Sequence, residues 1–284
     1  MVIDLCTYPG FIQEISEDPE RVAFRRKTFG LYKQHVWPMK LFITQLNAAG
    51  IDKAVLLGED LTTRCGGCIV TNEEIRTLVD LAPDRMIGFA SVDPHREDAP
   101  EVLKDAFTRL QLSGLVLNPS TQRFYPGDEA LEPLYSLCEE YNKPVIFQMG
   151  VSLQPDAPAK YGKPLLVEDV LLAHPNLRVC VSHFAWPWVE DVAALLIKYP
   201  NFYADTSMLY FDSPKEFMHH VFGQQLGAFW LDRSLHSKVL FGSGYPRIEQ
   251  LRMKEAVEDL ALRPATLQKV LGGNAERFIY GEAD

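Results

Sequence analysis

Short apolar runs alternate along this chain with longer stretches in which apolar residues recur three or four positions apart. These are the periodicities of a strand and of a helix that buries one face. Eight runs read as strands: residues 2–6 (VIDLC), 53–57 (KAVLL), 86–92 (MIGFASV), 114–117 (GLVL), 144–148 (PVIFQ), 177–182 (LRVCVS), 201–205 (NFYAD) and 238–242 (KVLFG). Between them lie helical patterns such as NEEIRTLVDLA, EDAPEVLKDAFTRLQL and WVEDVAALLIKYP, with Pro or Asn punctuating their ends.

Eight strand-helix units in 284 residues predict an α/β fold of the (β/α)8 TIM-barrel type, one domain over 1–284. An open doubly wound sheet is the competitor, but no Gly-rich phosphate loop follows the first run. Residues 9–38 form a long insertion after the first strand, where barrel enzymes carry their sites, and are a candidate lid. The tail RPATLQKVLGGNAERFIYG adds helix after the eighth unit and is expected to close the bottom or flank.

Composition narrows the partners. With 28 Lys and Arg against 38 Asp and Glu, the formal charge is -10 and no basic run interrupts it, which disfavours nucleic acid and anionic membrane. The start MVIDL lacks the features of a signal peptide, and no 18 apolar residues run together, so a cytoplasmic protein is expected. The five cysteines are an odd number in a chain too large to need disulfide staples. Cys138 and Cys180 read as core residues; Cys6, Cys65 and Cys68 invite a second reading.

In a barrel the strand ends converge on one pocket. They carry Cys6, Tyr8, Glu59, Asp60, Asp93, Asn118, Gln148, His183, Asp205, Ser243 and Tyr245. His183 is the only imidazole among them, the natural general acid or base, and Asp205 on the next strand is placed to orient it or to cap the following helix. The other six histidines read mostly as surface residues. Tyr8, Asn118, Gln148 and Tyr245 offer hydrogen bonds to an oxyanion. Ser243 supplies a hydroxyl, and Trp186 is a wall for an aromatic substrate. Arg64, Arg123 and Arg247 stand just beyond strand ends, and one of them suits a substrate carboxylate; Arg123 is taken as that contact.

The succession VIDLCTY, GLVLNPSTQRFYPGDEALEPLYSLCEEYNKPVIFQMG, LRVCVSHFAWPW, NFYADTS and VLFGSGYP resembles the amidohydrolase superfamily. It is most similar to the branch with aminocarboxymuconate-semialdehyde decarboxylase. The resemblance implies metal ligands in an Asp-x-His-x-His motif on the first strand, a His after the fifth and an Asp after the eighth. Here those positions hold Cys6 and Tyr8, Gln148 and Gly244; only the acid-base His after the sixth strand is kept, as His183. No cofactor is therefore expected. One rescue is a thiolate-rich zinc site at Cys6, Cys65 and Cys68, since RCGGCI has Cys-x-x-Cys spacing.

Three functions follow as expectations. The first is a metal-independent enzyme that hydrolyses a lactone or ester, or decarboxylates, a small carboxylated substrate, aromatic or not, with His183 moving the proton. Cys6 as nucleophile is a subsidiary version and needs a depressed thiol pKa. The second is a noncatalytic ligand-binding barrel; the third is a metalloenzyme with an unconventional Cys site. The resemblance also implies a homodimer, for which residues 216–231 (EFMHHVFGQQLGAFWL) are a candidate interface.

Overall fold

The computed structural model describes residues 1–207, 210–227 and 229–281. The eight expected strands form one parallel sheet: β1 (Ile3–Thr7), β2 (Lys53–Leu57), β5 (Met86–Ser91), β6 (Leu115–Leu117), β7 (Val145–Phe147), β8 (Val179–Val181), β9 (Phe202–Asp205) and β10 (Val239–Leu240). A two-stranded antiparallel hairpin, β3 (Glu59–Leu61) and β4 (Gly67–Val70), follows β2 in the chain. The sheet curls on itself. Leu5 donates to the Phe241 carbonyl at 2.9 Å and Gly244 to that of Cys6 at 3.0 Å, bringing β10 against β1 in a (β/α)8 TIM barrel.

Alternation along the strands produces two cores. Ile3, Leu5, Val55, Leu57, Ile87 and Phe89 point into the barrel with Ile146 and Leu240, whereas Ala54, Leu56, Ala90 and Phe147 face the helices outside. Phe278 and Ile279 of the last helix, Asn274–Tyr280, join the inner core, with the Phe278 ring edge-on to Tyr203. The tail therefore plugs the bottom. In the candidate interface stretch, Phe217, Met218, Val221 and Phe222 are core, while Phe229 and Trp230 are exposed; Ala228 lies outside the described residues.

The seam between β1 and β10 is held by one carboxylate. Asp4, fully buried, accepts from the Ser243 hydroxyl (2.6 Å) and amide (2.8 Å), the Gln250 side chain (2.8 Å), Thr7 Oγ1 (3.1 Å) and the Cys6 amide (3.2 Å). Burial pushes its pKa up and these donors pull against that shift.

The insertion after β1 contains a short 3-10 turn, Gln13–Ile15, and a helix, Pro19–Phe29, that starts on the Asp18 cap and ends at Gly30. Gly30 adopts φ 66°, the left-handed region that glycine enters without cost. Arg25 pins this helix. Its buried guanidinium donates to the Ile15 and Ile69 carbonyls at 2.7 and 2.6 Å and grips both oxygens of Glu74 at 2.8 and 2.9 Å. The C-terminal end of the helix is left over the barrel mouth.

Candidate active site

At the end of β8 the chain takes a turn that few sequences tolerate. His183, Phe184 and Ala185 have φ of 60°, 45° and 41°, three consecutive non-glycine residues in the left-handed region. Each such residue costs on the order of 1 kcal/mol, and such strain clusters at functional sites. The turn is held because the His183 amide donates to Asp205 Oδ1 at 3.0 Å, across to the end of β9. Its result is to aim a buried imidazole into the cavity at the C-terminal mouth.

The ring is connected on both sides. Nδ1 lies 2.7 Å from the Ser207 hydroxyl, which donates to Asp205 Oδ1, and Nε2 lies 2.9 Å from Gln148 Oε1. The Ser207 amide fixes the same Asp205 oxygen at 2.9 Å. These partners match an imidazolium, with Nδ1–H donated to Ser207 and Nε2–H to Gln148. On losing its proton from Nε2, the ring becomes an acceptor there. Gln148 Nε2, which has no partner among the described residues, is the donor that a half-turn of the amide then presents. Burial lowers the His183 pKa, assisted by Arg247 and opposed by Asp205 and Ser207. Burial thus shifts the ring toward its neutral form.

The cavity in front of this ring has a volume of about 300 Å³, the small end of the range for ligand sites. Tyr8, Glu59, Asn118, Gln148, His183 and Arg247 supply its principal polar groups. Lys27 and Phe29 cover it from the insertion, and the Phe29 carbonyl accepts from Arg247 Nη2 at 2.6 Å. The Tyr8 ring packs edge-on to Phe29, with centroids 5.4 Å apart. Burial holds the Tyr8 phenol well above its ordinary pKa, so it is a proton donor. Asn118 donates its amide to Glu59 Oε1 at 2.9 Å and caps the short helix Pro119–Gln122.

Several residues expected at the mouth are placed elsewhere. Ser243 lies in the seam, its hydroxyl given to Asp4. Tyr245 packs its ring on Phe42 and offers Tyr8 only a backbone carbonyl, at 2.8 Å. Trp186 stacks on Tyr210 behind the loop that follows β7. Arg123 points away, bonded to the Asp156 carbonyl, and Arg64 pairs with the Asp156 carboxylate. Arg247 is the arginine that lines the cavity, and it has no carboxylate partner among the described residues. Asp205 is fully buried behind His183. Cys6 sits beneath the cavity floor, where burial and the Asp205 charge push its thiol well up, the reverse of what a nucleophile needs.

One contributor, Ser207, is absent from the strand-end residues read from the sequence, and another, Glu59, is among them without a role. Ser207 has a weak signal in the sequence YADTS, which reads equally well as a helix cap. Glu59 appears only as a polar residue ending an apolar run, and its role depends on burial that the sequence does not display.

The thiolate-rich zinc site does not assemble. Cys6 is buried, Cys65 is exposed, and Cys68 donates to Asp60 Oδ1 at 3.2 Å with its pKa pushed up to about 12 by burial and that carboxylate. Among the described residues no group of three or more His, Cys, Asp or Glu is arranged to hold a metal ion.

Solved structures of the same fold are numerous. An uncharacterized TIM-barrel protein from Bordetella bronchiseptica superposes with a TM-score of 0.78 at 24% identity, over 99% of this chain and 98% of its own. A 5-carboxyvanillate decarboxylase from Novosphingobium aromaticivorans, solved with bound manganese and 3-methoxy-4-hydroxy-5-nitrobenzoic acid, gives 0.67 at 17%, over 98% and 97%. A 4-oxalomesaconate hydratase from Rhodopseudomonas palustris gives 0.66 at 18%, over 98% and 95%. No curated protein matches the chain by sequence.

The manganese in the Novosphingobium enzyme overturns the expectation that no cofactor is involved, because a barrel of this fold is a metal enzyme and the fold carries no presumption of doing without one. The side chains here nevertheless fit a divalent ion poorly: Cys6 and Tyr8 are held protonated, and the Gln148 oxygen is engaged by His183. What the mouth offers from its own residues is proton transfer at His183 and the Arg247 guanidinium, which has no carboxylate partner among the described residues. The amidohydrolase family model matches residues 37–280, all but the first strand and most of the insertion, and the chain belongs to the amidohydrolase family.

Proposed function

We propose that this amidohydrolase acts on a small carboxylated substrate, hydrolysing a lactone or ester or releasing carbon dioxide, with His183 moving the proton. The observation that carries this reading is the left-handed turn at His183, which spends backbone strain to aim a buried imidazole into the cavity at the barrel mouth. Asp205, through Ser207, stabilises the imidazolium as it forms, in the manner of a carboxylate behind a catalytic histidine. Arg247 is the anchor for a substrate carboxylate, a cation at the mouth of a chain whose net charge is -10. Tyr8 and the Gln148 amide donate to a developing oxyanion. The decarboxylase and hydratase among the solved relatives support chemistry at carboxylated substrates.

The purified protein should turn over members of a panel of carboxylated lactones, esters and hydroxybenzoates. His183→Ala should lower kcat/KM by at least about a hundredfold, the lower end for a positioned acid-base group. Equal activity in His183→Ala defeats the mechanism. Ligands that raise the melting temperature without turnover would establish a binding barrel instead.

A further inference from the structure

Glu59 is a buried carboxyl for which the proton transfer at His183 has no use. It follows β2 directly, at a point where the chain must run close to a neighbour. A Cβ at Gly58 would stand 2.9 Å from the Val70 carbonyl oxygen, so glycine is what lets β2 lead straight into the β3–β4 hairpin. Glu59 is 5% exposed and lines the same cavity as His183. The Asn118 amide donates to its carboxyl at 2.9 Å.

The charged and titratable groups around it leave it a proton carrier. Tyr8 faces it from just past β1 and Thr121 from the short helix Pro119–Gln122, while Arg64, a cation that acts on it, is committed to Asp156 and the Thr121 carbonyl. Burial outweighs the pull of Asn118, Arg64 and Thr121 and raises its pKa from 4.5 to about 7. Across the cavity stand His183 and Arg247. The strand order places β2 and β8 four positions apart in a ring of eight, which is diametrically opposite. A carboxyl whose pKa is raised and an imidazole whose pKa is lowered therefore face each other over one substrate-sized space, the pattern that assigns acid and base.

We propose that Glu59 is the general acid of this site, opposite His183 as base, and that the reaction is hydrolysis of an ester or lactone whose leaving oxygen needs a proton. This deepens the function proposed above and rests on it. With the Gln148 amide turned from His183 Nε2 to the oxyanion, that nitrogen takes a proton from water as the water oxygen bonds to the acyl carbon. When the tetrahedral adduct collapses, the acyl C–O bond breaks, its electron pair stays on the leaving oxygen, and that oxygen takes the proton of Glu59. One water is consumed. Imidazolium and Glu59 carboxylate remain, and exchange of one proton each with solvent restores the starting state. Decarboxylation replaces a carboxylate by a single proton on carbon and has no use for two groups in opposite states.

Two half-esters, monoethyl glutarate and mono-4-nitrophenyl glutarate, separate the roles, because nitrophenolate leaves without help and ethoxide does not. Glu59→Gln should lower kcat/KM at least about thirtyfold on the ethyl ester and hardly alter it on the nitrophenyl ester, as expected for a lost proton donor. The fall in wild-type rate above about pH 7 should be confined to the ethyl ester and vanish in Glu59→Gln. Equal losses on both esters, or on neither, overturn the assignment while the loss in His183→Ala leaves the parent reading intact. Activity unchanged in His183→Ala overturns both; no turnover of either ester, beside His183-dependent turnover of a hydroxybenzoate, overturns the assignment alone. Independently of turnover, the Glu59 carboxyl carbon, identified by its loss in Glu59→Gln, should titrate near neutrality by carbon NMR. A midpoint in the ordinary carboxylate range refutes the acid.

Discussion

His174 and His183 are both buried imidazoles with acidic neighbours, and their surroundings drive them in opposite directions. His174 ends the helix Glu168–Ala173 and is clamped between carboxylates, Nδ1 at 2.9 Å from Glu139 and Nε2 at 3.0 Å from Glu132. Burial works against its charge, but the two carboxylates outweigh burial and its pKa is raised. His183 meets neutral atoms at both nitrogens, with its carboxylate one hydroxyl away, and burial wins. A ring gripped by two anions is a strut between helices. A ring that touches a hydroxyl and an amide keeps a proton it can give and take. Proximity to acid does not by itself make a histidine catalytic; what matters is whether the charge is held directly or through an intermediary.

The contrast is most exposed at the intermediary. Ser207→Ala removes the bridge to Asp205 and should lower kcat/KM roughly tenfold to a hundredfold, within the range for a disturbed acid-base group. The acid limb of the pH profile should move to lower pH, because imidazolium loses support. A variant with the wild-type profile would place Ser207 outside the proton path.

His174→Ala should do the reverse, costing about 1–3 kcal/mol in urea unfolding, the worth of hydrogen bonds to charged groups, with kcat/KM unchanged. A fall in activity at unchanged stability would erase the distinction between strut and base.

Smaller effects should appear in the pH dependence of stability. The raised pKa of His174 supplies stability that is fully present below the unfolded value, about 6.5, and is lost as pH rises through the folded value. His183, lowered, behaves oppositely: its contribution is present above about 6.5 and is lost as pH falls toward its folded value. Urea unfolding of wild type, His174→Ala and His183→Ala across this window should therefore give differences that slope in opposite senses.

The barrel was legible because its signal is repeated eight times, and each apolar run needs only to be short and flanked by helical periodicity to be placed. The hairpin β3–β4 was not legible, since GEDLTTRCGGCI alternates weakly and reads as a loop. In the site, His183 stood out as the one imidazole at a strand end, and Gln148, Tyr8 and Asn118 do share its cavity. Ser243 and Tyr245 illustrate the limit of that reasoning. They follow a strand as His183 does, yet one is taken by Asp4 and the other by Phe42. His174, read as a surface residue, is 5% exposed, because a partner helix covers it.

By itself the sequence determined the eight strand-helix units, the family, the position of the insertion and the residue types available at the mouth, all of which depend on local periodicity and on order along the chain. Only the tertiary structure decided which of three arginines faces the cavity, that Asp4 is consumed in the barrel seam, and that Glu59 and His183 stand on opposite walls. Those outcomes depend on burial and on neighbours more than a hundred residues apart in the chain, such as Arg247 on the Phe29 carbonyl. The state of an ionisable group is set by what surrounds it in space, and no window of sequence contains that.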